Sequence, residues 1–333
     1  MKRVPINTLP GAIGRTVKVT AWAHRVRNQK RMQFVVLRDR TGFVQAVHER
    51  KGDNDRIGEA IDQLTEESTV EVVGQVVGND IVKLGQIELV VSSLDVTSHA
   101  LAQKPVTSNT GIDTRLDWRF LDLRRPENRL IFEMQTIVES AMRAYWKRED
   151  FIEMHSPKLM GSASESGAEL FQVDYFGGNA YLAQSPQFYK QMAMASGFER
   201  VFEIGPVFRA NPSFTSRHDT EFTSVDVEIA WVDSHEEIME FEERWLQFVL
   251  RNICDECGNR IKETYGIEVV VPEVPFPRIP LQKAHDILGA EDDTVADNGD
   301  LNPKGERLLS QYVKERYGHE FVFVVDYPAS KAT

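Results

Sequence analysis

The sequence predicts an α+β chain with an all-β N-terminal domain: a five-stranded barrel, then an antiparallel sheet with flanking helices. Three observations carry this. Residues 14–97 alternate apolar and polar side chains in short runs parted by turn residues, with one helical patch among them. From about Glu127 the apolar period lengthens to that of amphipathic helices. Between two such helices, Arg200–Arg209 and Phe222–Trp231 return to strict alternation, as in a hairpin with one buried face.

In the first region, Arg15–Arg27 places Val17, Val19, Ala21 and Ala23 on one face, and Lys18, Thr20, Trp22 and His24 on the other. Gln33–Arg38 follows, Asp39–Gly42 supplies a turn, and Phe43–His48 is the third strand. A helix near Asp53–Leu64 precedes strands Thr69–Val77 and Ile87–Val96. Five strands with a helix between the third and fourth is the OB-fold pattern. Such barrels bind single-stranded nucleic acid by stacking bases on aromatics beside basic residues. Trp22, Phe34 and Phe43 are the candidate platforms, with Arg25, Arg27, Lys30 and Arg31 near them.

Polar residues 98–114 lack a period and read as a linker, giving expected domains of 1–100 and 117–333 joined by 101–116. Glu127–Glu149 is a helix with Leu130, Met134, Ile137, Val138, Ala141 and Tyr145 as its stripe. Phe151–Pro157 reads as a strand, Gly161–Glu169 as a small-residue loop, and Phe171–Phe176 with Tyr181–Ala183 as a hairpin turning at Gly177-Gly-Asn179. A short helix follows, and then the alternating hairpin. Its apolar back carries Phe202, Ile204, Phe208, Val225, Val227, Ile229 and Trp231; its front carries Glu203, Gly205, Arg209, Ser224, Asp226 and Glu228. Ser234 and Glu237 fit a capping box opening a helix striped by Ile238, Phe241, Trp245 and Val249. Helices at Leu281–Leu288 and Pro303–Tyr317 and a strand at Glu320–Val325 close the chain.

Composition is that of a globular protein, 41% hydrophobic and 27% charged. No apolar run is long enough for a membrane span, and no signal-peptide core opens the chain, so a cytoplasmic location is expected. Cys254 and Cys257 are the only cysteines and read as two free thiols on a helix. The net charge of −12 is unevenly spread: residues 1–51 hold 12 Lys/Arg against only Asp39 and Glu49. A basic module on an acidic body hints at a nucleic-acid partner.

Taken in order, these motifs resemble class II aminoacyl-tRNA synthetases, and within them aspartyl-tRNA synthetases of the archaeal, non-discriminating type. The run ending at Pro157 resembles the family's motif 1, which implies a homodimer. Phe208-Arg209-Ala210, the Ser213–Asp219 loop and the Asp226/Glu228 strand resemble motif 2. The resemblance implies activation of L-aspartate by ATP, with Mg²⁺, and transfer to tRNA-Asp, with tRNA-Asn left open as a second substrate.

It also implies site residues. Arg209 suits the α-phosphate and the attacking carboxylate, because its planar fork donates two parallel hydrogen bonds. Arg217 and His218 resemble contacts to the outer phosphates, with Ala210, Asn211 and Asp219 completing the ATP side. Gln187, Phe188, Tyr189 and Lys190 resemble the amino-acid pocket, in which the lysine holds the substrate's side-chain carboxylate; Glu169 resembles the residue that takes its α-ammonium. In the barrel, Phe34 and Gln45 match positions that stack on and hydrogen-bond to the central anticodon base. His24 and Lys83 match positions that tune reading of the third.

Two departures accompany the match. Asn211 stands where the family has a glutamate that holds adenine. The family also continues into a magnesium-binding glutamate, an aspartate-binding arginine and a Gly-rich motif 3. No such Gly-rich arginine motif occurs in these 333 residues, so the expectation is that this chain does not complete the reaction alone and that most Mg²⁺ ligands lie outside it. Three alternatives stand beside the ligase: a catalytically dead tRNA-binding paralogue, a relative making aspartyl-adenylate for amide synthesis, and an asparaginyl-tRNA synthetase. An anticodon reader at Phe34 and Gln45 argues against the second, a cation at Lys190 against the third.

Overall fold

The computed structural model describes residues 1–101, 105–107, 109–162, 170–211, 219–289, 294–296 and 299–328. The chain divides into two compact units, Met1–Asn128 and Arg129–Thr333.

The first unit is a closed barrel. Its strands are β1 (Thr16–Asn28), β2 (Met32–Asp39), β3 (Gly42–Glu49), β4 (Thr69–Gly78) and β5 (Ile87–Ser98), with helix α1 (Arg56–Asp62) between β3 and β4. The order around the barrel is β1-β2-β3-β5-β4, with β3 and β5 parallel and the other pairs antiparallel. The alternation read from the sequence is the cause: Val17, Val19, Ala21 and Ala23 are buried, while Lys18, Thr20, Trp22 and His24 lie on the outer face. β1 serves two neighbours in turn, pairing with β4 through Trp22 and with β2 from Trp22 onward, and a bulge at His24 makes the bend. The Asp39 carboxylate closes the β2–β3 turn by accepting from the Thr41 N–H at 2.7 Å and the Ile6 N–H at 3.0 Å. Helices α2 (Ile112–Asp117) and α3 (Arg119–Asp122) follow the barrel. Buried Asp122 accepts from Arg115 at 2.8 Å and Arg119 at 2.6 Å, and the Arg115 hydrogen bond holds its carboxyl below the usual range.

The second unit begins in helix α4 (Pro126–Arg148) and continues through β6 (Ile152–Glu153), β7 (Leu159–Met160), β8 (Gln172–Tyr175) and β9 (Gly178–Leu182). Helix α5 (Gln187–Ala195), strands β10 (Arg200–Phe208) and β11 (Glu221–Ile229) and helix α6 (His235–Tyr265) form its centre. β12 (Arg278–Pro280), α7 (Leu281–Leu288), α8 (Pro303–Tyr317) and β13 (Phe323–Val325) complete it. The principal sheet has the order β11-β10-β6: β10 and β11 are antiparallel, while β6 joins β10 in parallel. Its apolar back packs Phe202, Ile204, Val227 and Ile229 against Tyr145 and Trp146 of α4 and Phe241 and Trp245 of α6.

Several expectations are corrected. The first hairpin turns at Phe176-Gly177, both with positive φ, so Gly178 and Asn179 are already in β9. Trp231 lies beyond the end of β11 with φ 60° and is 86% exposed, so it belongs to no apolar face. Ser234 makes no side-chain cap to α6; Glu237 instead accepts from the Asp233 N–H at 2.9 Å, one residue earlier than a capping box requires. The Phe151–Pro157 strand shortens to two residues, and β7, which pairs with β9, was not anticipated.

Candidate functional site

The front of the β10–β11 hairpin presents Glu203, Gly205, Val207 and then Arg209 on one strand, and Phe222, Ser224, Asp226 and Glu228 on the other. Register sets Glu203 directly opposite Asp226 and Gly205 opposite Ser224. Two carboxylates face to face destabilise a sheet unless each is neutralised. Each has its own lysine. Glu203, 2% exposed, accepts from Lys158 Nζ at 2.5 Å and from the Ser156 N–H at 3.0 Å and hydroxyl at 3.1 Å. Asp226 takes Lys190 Nζ at 3.2 Å, and Glu228 lies 3.4 Å from the same ammonium.

Lys190 is brought there by α5. Its position in the first turn points it onto β11, where it also reaches the Val227 carbonyl at 3.5 Å, and it is buried. Gln187 opens the same helix, with its N–H donating to the Ser185 hydroxyl at 3.2 Å. Tyr189 is half-buried and Phe188 exposed. The segment before the helix is fastened to the sheet, because the Phe208 N–H donates to the Ala183 carbonyl at 2.9 Å.

At the far end of the hairpin, the Arg209 N–H donates to Thr220 O at 3.0 Å, and its guanidinium lies over the Phe222 ring at 5.5 Å. From Asp226 to Thr220 is six residues, about 20 Å of strand. Between them Gly205 and Ser224 carry the smallest side chains on this face, and the Lys158 side chain lies over Gly205. An ammonium thus stands toward one end of this face and a guanidinium at the other, the two kinds of group that take carboxylate or phosphate oxygens. Ala210 is half-buried, and Asn211 and Asp219 are exposed. Glu169, Arg217 and His218 lie outside the described residues. No group of three or more His, Cys, Asp or Glu able to hold a metal ion occurs among the described residues. Cys254 and Cys257 are free thiols.

Sequence reasoning set Glu203 on the open front of the hairpin; the structure buries it there as an internal anchor. Lys158 and Ser156, which satisfy it, were missed. The available signal was chemical: a glutamate in the middle of a buried strand requires a cation from the adjoining segment.

On the barrel, the aromatic platforms stand outside the core and each carries a polar partner. Arg27 lies over Phe34 at 5.3 Å and donates to the Gln45 side-chain oxygen at 2.8 Å, joining the two proposed base readers. His24 meets Phe43 edge-on at 5.1 Å, and its Nδ1 lies 4.0 Å from Glu67. Lys83 is exposed in the β4–β5 connection, just before Glu88, which pairs with Gln45. Phe34, Gln45 and His24 therefore share the outer β1–β3 face, with Lys83 on the loop at its edge. Among the described residues no helix is long and apolar enough to cross a membrane.

Residues 17–97 match the family described as OB-fold nucleic acid binding domain, and residues 111–333 the family described as tRNA synthetases class II (D, K and N). The aspartate–tRNA(Asp/Asn) ligase of Aeropyrum pernix is 39% identical over 322 residues, 95% of this chain and 72% of the relative. The aspartate–tRNA(Asp) ligase of Pyrococcus abyssi is 38% identical over 321 residues, 95% of this chain and 73% of the relative. Among solved structures, asparaginyl-tRNA synthetase of Pyrococcus horikoshii complexed with asparaginyl-adenylate superposes with a TM-score of 0.85 at 30% identity, covering 94% of this chain and 72% of that one. Aspartyl-tRNA synthetase of Entamoeba histolytica gives 0.84 at 28%, covering 99% of this chain and 72% of that one. The barrel, the sheet with its flanking helices and these matches agree: the chain belongs to the class II tRNA synthetases of the D, K and N group.

Proposed function

We propose that this protein is an aspartate–tRNA ligase, activating L-aspartate with ATP and transferring it to tRNA-Asp. Residues 1–100 act as the anticodon reader, 101–116 as connector and 117–333 as catalytic region. The observation that carries the reading is the placing of a buried ammonium, Lys190, and a guanidinium, Arg209, toward opposite ends of one charged hairpin face. Its support is the 39% identity to an aspartate–tRNA(Asp/Asn) ligase.

The chemistry follows from charge. The α-carboxylate of aspartate attacks the α-phosphorus of ATP in line, and pyrophosphate leaves. Both partners are anionic, so the protein's work is to bring them together and neutralise them. Arg209 holds the attacking carboxylate and the α-phosphate, stiffened by the Phe222 ring beneath it. Lys190 holds the side-chain carboxylate by turning to it the donor that otherwise faces Glu228, the more exposed of its two acids, while Asp226 keeps another. An asparagine amide offers that ammonium no charge, and the mismatch is costly in a buried site. Gln187 and Tyr189 line the amino-acid end; Arg217, His218 and Glu169 serve the outer phosphates and the α-ammonium. Magnesium accompanies ATP in this family and would neutralise its phosphates.

The solved asparaginyl relative makes asparagine the rival substrate. Calorimetric titration with the sulfamoyl analogues of aspartyl- and asparaginyl-adenylate decides between them. The aspartyl compound is expected to bind at least about tenfold tighter, a difference of about 1.4 kcal/mol. Equal affinities, or the reverse order, refute aspartate. In the barrel, Phe34→Ala is expected to weaken tRNA-Asp by the 1–3 kcal/mol or so of one stacked base. Equal loss for a tRNA with another central anticodon base would leave only a general basic groove. Exposed Ile131 and Phe132 on α4 suit the homodimer that motif 1 implies, and sedimentation velocity tests it.

A further inference from the structure

Within Met1–Asn128, a cavity of about 830 Å³ opens between the outer face of β1–β2, the chain leaving β5 and the Trp118–Glu127 stretch that holds α3. One wall is cationic. The Trp22 ring carries the Arg124 guanidinium at 5.0 Å and that of Arg38 at 5.7 Å, and both donate to the Glu67 carboxylate, at 2.8 and 2.7 Å. One carboxylate serves two guanidiniums, so this wall keeps positive charge; Arg125 and Glu127 on the rim pair with each other. The other wall is aromatic: Trp118 and Phe120, ring centres 5.9 Å apart, are 42% and 62% exposed. Aromatic faces beside surplus guanidinium charge take a base together with its phosphate.

The cavity also continues the proposed anticodon face. His24 lines it, and His24 touches Phe43, two residues from Gln45 on β3. Phe34 and Arg38 are four residues apart on β2, about 13 Å. An OB barrel covers about 4–16 nucleotides, so the two base stations at Phe34 and His24 would leave much of such a face unused.

We propose that this cavity binds a nucleotide, its base against Trp118 and Phe120 and its phosphate at Arg124, and that in RNA this is the nucleotide on the 3′ side of the base read at His24. The placement in RNA rests on the anticodon reading above. The same chemistry could be supplied by a free mononucleotide, and the test separates the two sources.

Labelled RNAs 5′-CUGUC and 5′-CUGUCAC are titrated by anisotropy against the full chain, Phe120→Ala, Arg124→Ala and Phe34→Ala, and AMP is titrated alone by calorimetry. The expected result is a gain of about tenfold from the 3′ extension, lost in Phe120→Ala and Arg124→Ala while the shorter RNA binds them as before. Phe34→Ala weakens both RNAs alike. AMP binding that Phe120→Ala abolishes, without any gain from the extension, supports the nucleotide site with a free ligand as its source. The proposal is overturned if the extension adds nothing and AMP does not bind, or if Phe120→Ala leaves both signals intact. Failure of Phe34→Ala to weaken either RNA refutes the anticodon reading instead, and the AMP arm then judges the cavity alone.

Discussion

Replacing Lys190 with methionine removes a cation from between two carboxylates while nearly preserving the volume of the side chain. The ammonium is 7% exposed, and lies 3.2 Å from Asp226 and 3.4 Å from Glu228, themselves 17% and 27% exposed. Breaking a buried pair by removing one member costs about 3–5 kcal/mol, because the remaining charge is stranded. Here Glu228 can turn toward solvent, which relieves part of the loss, so about 3 kcal/mol is expected. That is a large share of the 5–15 kcal/mol or so of a typical domain. Urea unfolding followed by tryptophan fluorescence reads it, since Trp146 and Trp245 stack in the core behind the sheet. With a slope of about 2–3 kcal/mol/M, the midpoint should fall by about 1 M. Lys190→Met with Asp226→Asn should recover at least about 1 kcal/mol relative to additivity, as expected for groups in direct contact. A single-variant midpoint unchanged to within about 0.2 M, or strict additivity in the double variant, would refute the charge-clasp account. The same experiment bears on the pocket: loss of aspartate binding in Lys190→Met is interpretable only if Lys190→Met/Asp226→Asn, refolded to near wild-type stability, also fails to bind.

Three further outcomes are expected. The Asp55 carboxyl is pushed up by burial but more strongly down by hydrogen bonds from His48 at 2.8 Å and the Gly58 and Lys51 N–H groups at 3.1 Å, and it ends at about 2. A lowered carboxylate stabilises above its unfolded value and loses that contribution as pH falls toward about 2. Asp55→Asn should therefore cost about 2 kcal/mol near neutral pH and nothing near pH 2, by thermal melts across that range; a pH-independent cost would contradict it. Gly74→Ala would set a Cβ 2.5 Å from the Val90 carbonyl oxygen and 2.9 Å from Leu89 Cγ in the barrel wall, costing about 1–3 kcal/mol by denaturant titration. Ser234→Ala should be near neutral, whereas Glu237→Ala should cost about 0.5–1 kcal/mol, because only Glu237 caps a main-chain N–H; equal effects would restore the capping box.

The barrel was legible because each of its strands runs at least eight residues with one buried face, so period two repeats often enough to be read. The hairpin β10–β11 was legible for the same reason, as were the helix stripes. What escaped was short or long-range. β6 and β7 have two residues each, too few for a period. The pairing of β12 with β13, parallel and over forty residues apart, leaves no local trace. Within the site, the sequence marked Lys190 and Arg209 as special and correctly set Asp226 and Glu228 on the front face. It could not tell that Lys190 is held by those acids, or that Glu203 is spent on Lys158, since both facts depend on segments brought together by the tertiary fold. The turn at Phe176-Gly177 was misplaced because three consecutive turn-forming residues left the register ambiguous.

The in-register pair of Glu203 and Asp226 has a mechanical meaning. Shifting β11 by one residue would set Val225 or Val227 against Glu203 and turn Asp226 and Glu228 to the apolar side, leaving Lys190 without its counter-ions, while Lys158 keeps Glu203 on the unmoved strand. Lys190, held from α5, penalises the slip on the charged face, and the loss of Val227 and Ile229 from the core penalises it on the apolar one. The hairpin is thereby keyed, like a lock with two wards, and the spacing between its ammonium and guanidinium ends is fixed before any ligand arrives.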